Sequence, residues 1–151
     1  SRRACGASWP PYRQRRRAFL ASLQPITAKV ATLHTRFSGI PVTATEPVFG
    51  LMATAIGLRM RNERFQLAVM NNTEPRMSDV AAFETDLRSR AVRLLIYNRQ
   101  ATAPAAERLI GIARQANVPV VGVTETQPAE RSYQDWIMDE LDAVERALAR
   151  P

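Results

Sequence analysis

The chain has 151 residues, enough for one domain with a real core and too few for two full-sized ones. A formal net charge of +7 and a sequence pI near 10.9 would ordinarily point to nucleic acid or an anionic membrane. However, Arg2, Arg3, Arg13, Arg15, Arg16 and Arg17 crowd an opening stretch without Asp or Glu, which leaves a near-neutral body and excludes a broad basic binding face.

That opening stretch, residues 1–14 above all, mixes Cys5, Trp9 and Pro10-Pro11 without helical or strand period and reads as a disordered basic arm. A lone cysteine excludes an internal disulfide and a multi-cysteine zinc site, and leaves the redox compartment open. No apolar run reaches the roughly 20 residues of a bilayer span. The start lacks the charged, apolar, small-residue order of a signal peptide, so an export signal would have to precede residue 1.

From Arg15 to Phe37, the apolar residues Phe19, Leu20, Leu23, Ile26, Val30, Leu33 and Phe37 recur at spacings of three and four, which predicts a long amphipathic helix. Pro25 should kink it or mark a true first turn, because proline has no amide hydrogen and crowds the preceding turn. Gly39 ends it.

Beyond Gly39 short β-type runs alternate with helical stretches. Strands are predicted at Val42–Thr45, Phe65–Met70, Val92–Tyr97 and Val118–Val123, and helices at Val48–Gly57, Ser78–Arg90, Pro104–Asn117 and Tyr133–Arg150. Runs such as VRLLIY and VPVVGV are almost continuously apolar or β-branched, as strands covered on both faces must be. The expected fold is α/β: a three-layer αβα sandwich on a four-stranded parallel sheet, βα repeated four times, behind a connector helix over residues 15–38. Pro119 fits the start of the fourth strand, Ser78 a helix cap and Pro104 a first helical turn.

In such a sheet ligands bind beyond the carboxyl ends of the strands. Three glutamates fall there on this reading: Glu46 after the first strand, Glu74 after the second, Glu125 after the fourth. Carboxylates suit a divalent cation, but acidic residues also simply stabilise helix starts, so both readings stay open on spacing alone. The TEPVFG loop has neither the glycine-rich dinucleotide fingerprint nor a phosphate-cradling Lys-Ser/Thr loop, which argues against a nucleotide enzyme. His34, the only histidine, lies in the long helix with no partner for a triad or zinc site and reads as a surface residue. Tyr133, Trp136, Ile137, Leu141, Val144 and Leu148 form an apolar stripe and read as core. Asn98 and Gln100 are explained by loop hydrogen bonding and receive no chemical role.

The segments VTATEPVFG (42–50), QLAVMNNTEP (66–75), LIYNRQ (95–100) and VPVVGVTET (118–126) are similar, in type and order, to the second half of periplasmic zinc and manganese solute-binding proteins of ABC transporters. The resemblance runs from about Ala18 to the end, and residues before about Arg15 have no counterpart in it. It implies a metal receptor and not an enzyme: two α/β lobes joined by a rigid helix, holding Zn2+ or Mn2+ between them in the periplasm for delivery to an ABC permease. This chain would be the carboxy-terminal lobe, with the amino-terminal lobe missing. Glu46 matches that lobe's first metal ligand and Glu125 falls at the second, where the family has aspartate. Leu51 stands where tyrosine is expected. Two carboxylates leave most of a coordination shell to water, so the isolated chain should bind metal weakly. A homodimer through the face left by the missing lobe is a further expectation. The alternative reading is a freestanding α/β small-ligand-binding or enzymatic domain, and an Arg-arm nucleic-acid binder ranks last.

Overall fold

The computed structural model describes residues 9–101 and 103–151. Residues 1–8 of the expected basic arm lie outside the described part. Helix α1 spans Trp9–Ser22 and α2 spans Gln24–Phe37. The helical stretch thus starts ahead of Arg15, and residues 9–14 of the expected disordered arm belong to it. The break falls at Leu23, with Pro25 in the first turn of α2, where its missing amide hydrogen would have been unpaired anyway. Of the predicted apolar stripe, Leu33 and Phe37 are buried and Ile26 and Val30 pack on the core, while Phe19 and Leu20 stay exposed.

There follow β1 (Pro41–Ala44), α3 (Gly50–Ile56), β2 (Arg59–Arg61), α4 (Glu63–Met70), α5 (Met77–Arg88), β3 (Leu95–Asn98), α6 (Pro104–Gln115), β4 (Val120–Val123) and α7 (Tyr133–Leu148). The four strands pair in parallel in the order β2-β1-β3-β4, with Val42 beside Met60, Thr43 beside Leu95 and Ile96 beside Val121. The architecture is the expected parallel α/β sheet between helical layers.

One strand is misplaced in the sequence reading. Phe65–Met70, predicted as the second strand, is helix α4, and the second strand is Arg59-Met60-Arg61. FQLAVM is as apolar as a buried strand, but its buried side chains are Phe65 and Gln66, with Val69 packed beside them, a helical and not an alternating pattern. The true strand was hard to see because it is an edge: paired on one side only, it tolerates two arginines and three residues' length. Asn62 turns directly from β2 into α4 with φ of 61°, a left-handed conformation asparagine tolerates. Ser78 is not the cap of α5, which begins after Arg76 without a side-chain cap.

Alternation along β3 separates two cores. Leu94 and Ile96 join Val42, Ala44, Val121 and Val123 under α2, α3 and α7; Leu95 joins Val92 and Val118 under α5 and α6, where Phe65 and Phe83 meet edge to face at 5.0 Å. Gly57 allows α2 and α3 to end against each other. It ends α3 with φ of 79°, and a Cβ there would lie 2.6 Å from Ser38 Oγ. Lys29 ties α2 to α7 through Asp142 and Glu145. Among the described residues no helix is long and apolar enough to cross a membrane.

Candidate metal centre

The carboxyl edge of the sheet presents two loops whose acidic residues were singled out from sequence. Glu46 directly follows β1, a central strand. The Thr45 N–H donates to the Ile96 carbonyl at 3.0 Å, which carries the β1–β3 ladder to the residue before the glutamate. Pro47 follows, and the Val48 N–H closes the turn on the Glu46 carbonyl at 2.9 Å. The side chain is half-buried. Burial pushes its carboxyl above the usual carboxylate range, the Asn98 amide draws it back down, and the negative charge of Glu125 adds to the rise. The two glutamates follow the strands that flank β3 on either side, at the same edge of the sheet.

Glu125 follows β4, an edge strand, and is exposed. Its loop is held differently. Three successive amides are captured by side chains: Thr124 N–H donates to Glu140 Oε1 at 2.9 Å, and Glu125 N–H and Thr126 N–H donate to Gln100 Oε1 at 2.9 and 3.1 Å. Gln100 Nε2 also donates to Thr126 Oγ1 at 2.8 Å. Trp136 Nε1 donates to Glu140 Oε1 at 2.9 Å, which fixes that carboxylate from within α7.

Two of these anchors were given lesser roles by the sequence. Trp136 is part of the expected apolar stripe but uses its indole N–H to orient Glu140; Glu140 was not considered at all. The signal was present: a Trp–Glu pair four residues apart faces one way along a helix. Tyr133 is more exposed than a core residue and stacks edge-on against Trp136 at 5.8 Å. His34 is exposed, as expected. Because the strand before it is a helix, Glu74 follows α4 in the loop before α5 and is not the strand-end residue the reading made it.

Between the Pro47–Met52 segment and α7 lies a cleft of about 220 Å³ lined by Val48, Phe49, Leu51, Glu125, Trp136 and Ile137. Leu51 is 93% exposed on its lip. Among the described residues no group of three or more His, Cys, Asp or Glu side chains stands close enough to hold a metal. The third carboxylate near the edge, Glu140, is engaged by Thr124 and Trp136. The described part of this edge therefore carries Glu46 and Glu125 as the carboxylates not engaged in the hydrogen bonds that hold the loops.

Residues 9–147 match the family model described as ZnuA, zinc-uptake complex component A, periplasmic. The chain belongs to this family. The match opens at residue 9, inside α1, which corrects the expectation that nothing ahead of Arg15 has a counterpart there. No curated protein matches the chain by sequence. Among solved structures, the periplasmic zinc binding protein TroA from Treponema pallidum superposes with a TM-score of 0.70 at 16% identity, over 92% of this chain and 53% of that one. The Zn(II)-bound H205L variant of AdcAII from Streptococcus pneumoniae gives 0.65 at 16% identity, over 91% and 50%. The solute-binding protein FpvC from Pseudomonas aeruginosa, in complex with Mn2+, gives 0.62 at 16% identity, over 87% and 49%. At these identities the likeness is one of fold. The ZnuA-family chain spans about half the length of the solved structures it matches.

Proposed function

We propose that this chain is the carboxy-terminal lobe of a periplasmic receptor for a divalent transition metal, Zn2+ or Mn2+, which it helps hold as cargo for an ABC permease. The observation that carries this reading is the family match over residues 9–147, with Glu46 and Glu125 in the loops after β1 and β4, the strands on either side of β3. Carboxylate oxygens in this position suit a divalent cation. Family membership and the zinc- and manganese-bound neighbours agree with that chemistry.

Glu46 and Glu125 would supply two ligands, and the rest of the shell would come from a second lobe, corresponding to the half of the neighbours' length that this chain does not cover. Helices α1 and α2 would form the connector to that lobe, and the bare Phe19 and Leu20 on α1 fit a surface it covers. Such a receptor binds and releases and turns nothing over. Carboxylate donors accept harder ions, and the ligands of the second lobe would decide between zinc and manganese.

The test is a titration of the chain with Mn2+, with the free ion followed by its electron paramagnetic resonance signal. The wild-type chain should bind one ion weakly, with a dissociation constant in the range of about 0.1 to 1 mM, as expected for a site with few protein ligands. Glu46→Ala should weaken binding at least tenfold. Absence of binding, or binding indifferent to that substitution, would overturn the proposal.

A further inference from the structure

We infer that Gln100 is the positioning residue of this half-site: it fixes the Glu125 loop beside Glu46 so that the two carboxylates face one cation as a unit. The inference rests on the metal-receptor reading for its ligand, and on hydrogen-bond geometry for its mechanism.

A loop at an edge strand has neighbours on one side only, and its amides must find other acceptors or face water. Here the two amides at Glu125 and Thr126 converge on the single Oε1 of Gln100, which sits past the end of β3. Both lone pairs of that oxygen are used, and the Nε2 end is turned onto Thr126 Oγ1. The amide side chain is consequently held at both ends. Its own backbone is held in turn, because Gln100 N–H donates to Asn98 Oδ1 at 2.9 Å. That bond assigns the Asn98 oxygen as acceptor and leaves the Nδ2 donors free for the Glu46 side. Asn98 is 1% exposed, so its orientation is set by the protein and not by solvent.

The Asn98–Gln100 segment, from the last residue of β3 into the loop beyond it, therefore lies between the two loops that carry the carboxylates. No other side chain among the described residues bonds the backbone on both sides of the Glu125 Cα. The Arg99 N–H adds rigidity by donating to the Val123 carbonyl at 2.9 Å, which keeps the segment in register with β4. Ligands held by outer partners typically lose about 10- to 100-fold in metal affinity when the partner is removed. Gln100 is exposed and packs in neither core, so its removal should cost little folding stability.

The experiment compares the full chain with Gln100→Met, which keeps the shape and removes the hydrogen bonds, and Gln100→Glu, which keeps the accepting oxygen. Arg108→Ala, remote from the edge, controls for general loosening. Amide hydrogen exchange at residues 125 and 126 and Mn2+ affinity are read on each. Gln100→Met should speed exchange at both amides by at least about tenfold and weaken Mn2+ about tenfold or more, with an unchanged melting temperature. Gln100→Glu should restore protection, and Arg108→Ala should alter neither reading. Unchanged exchange in Gln100→Met overturns the inference, as does faster exchange with unchanged Mn2+ affinity. If the wild-type chain binds no Mn2+, the metal-receptor reading fails, while the exchange arm still decides whether Gln100 holds the loop.

Discussion

The loops of Glu46 and Glu125 reach the same edge of the sheet by different means. Glu46 rides on the backbone ladder: Thr45 is bonded to β3, the strand is central, and the carboxyl is half-buried. Glu125 leaves an edge strand, is exposed, and owes its loop's conformation to side chains contributed by Gln100 and Glu140. A ligand carried by backbone pairing is hard to displace without unfolding the sheet, whereas one carried by side chains can be loosened from residues that never touch it. The difference also bears on energetics, since partial burial raises the Glu46 carboxyl above the usual carboxylate range, a cost that a bound cation would relieve.

The largest effect should come from a change that touches neither loop. Phe83→Ala removes a fully buried ring from the core under α5 and α6 and its edge-to-face partner Phe65, and should cost about 3–5 kcal/mol in urea unfolding. If the comparison holds, the folded remainder of that variant keeps its Mn2+ affinity. Next, Glu140→Ala strips the acceptor from the Thr124 N–H and the Trp136 indole, and should cost about 1–3 kcal/mol. It should shift Trp136 fluorescence and weaken Mn2+ severalfold through the Glu125 loop alone, leaving exchange at Thr45 unchanged.

How much of this was legible in the sequence follows from the same physics. β1 and β3 are interior, and β4, although an edge, is packed on by α6 and α7, so all three read as apolar runs; the helices after them show through period and proline. Strand β2 did not, because an edge strand of Arg-Met-Arg buries too little to leave a pattern, and FQLAVM, just after it in the chain, reads as a strand in its place. That Glu46 and Glu125 follow β1 and β4 could be read from the order of elements. The partners of Gln100 and Glu140 could not, although Gln100 stood out as a loop residue after a strand and Glu140 is spaced to meet Trp136, since each acts on a loop remote in sequence, 25 residues away for Gln100 and Glu125 and 16 for Glu140 and Thr124.

A smaller effect concerns acid. The Arg108 guanidinium, then Arg88, holds the Glu84 carboxyl below the usual range against the opposing effect of its burial. A lowered folded value means this stability is present above the ordinary glutamate range and is lost as pH falls through the lowered value. Arg108→Ala should therefore move acid unfolding to higher pH, followed by circular dichroism, with less than about 1 kcal/mol lost at neutral pH. Smallest of all, Glu46→Gln should raise the melting temperature slightly without metal. Its carboxyl is raised in the folded state, so the charged form opposes folding above that value, and a neutral amide relieves the penalty.

The central claim, that the Glu46–Glu125 edge is where a divalent cation sits, is tested most directly by amide spectra of the 15N-labelled chain with trace Mn2+. The account expects paramagnetic broadening to begin at the amides around residues 46, 98–100 and 124–126, and to vanish in Glu46→Gln. Broadening centred elsewhere, or unchanged in that variant, would contradict it.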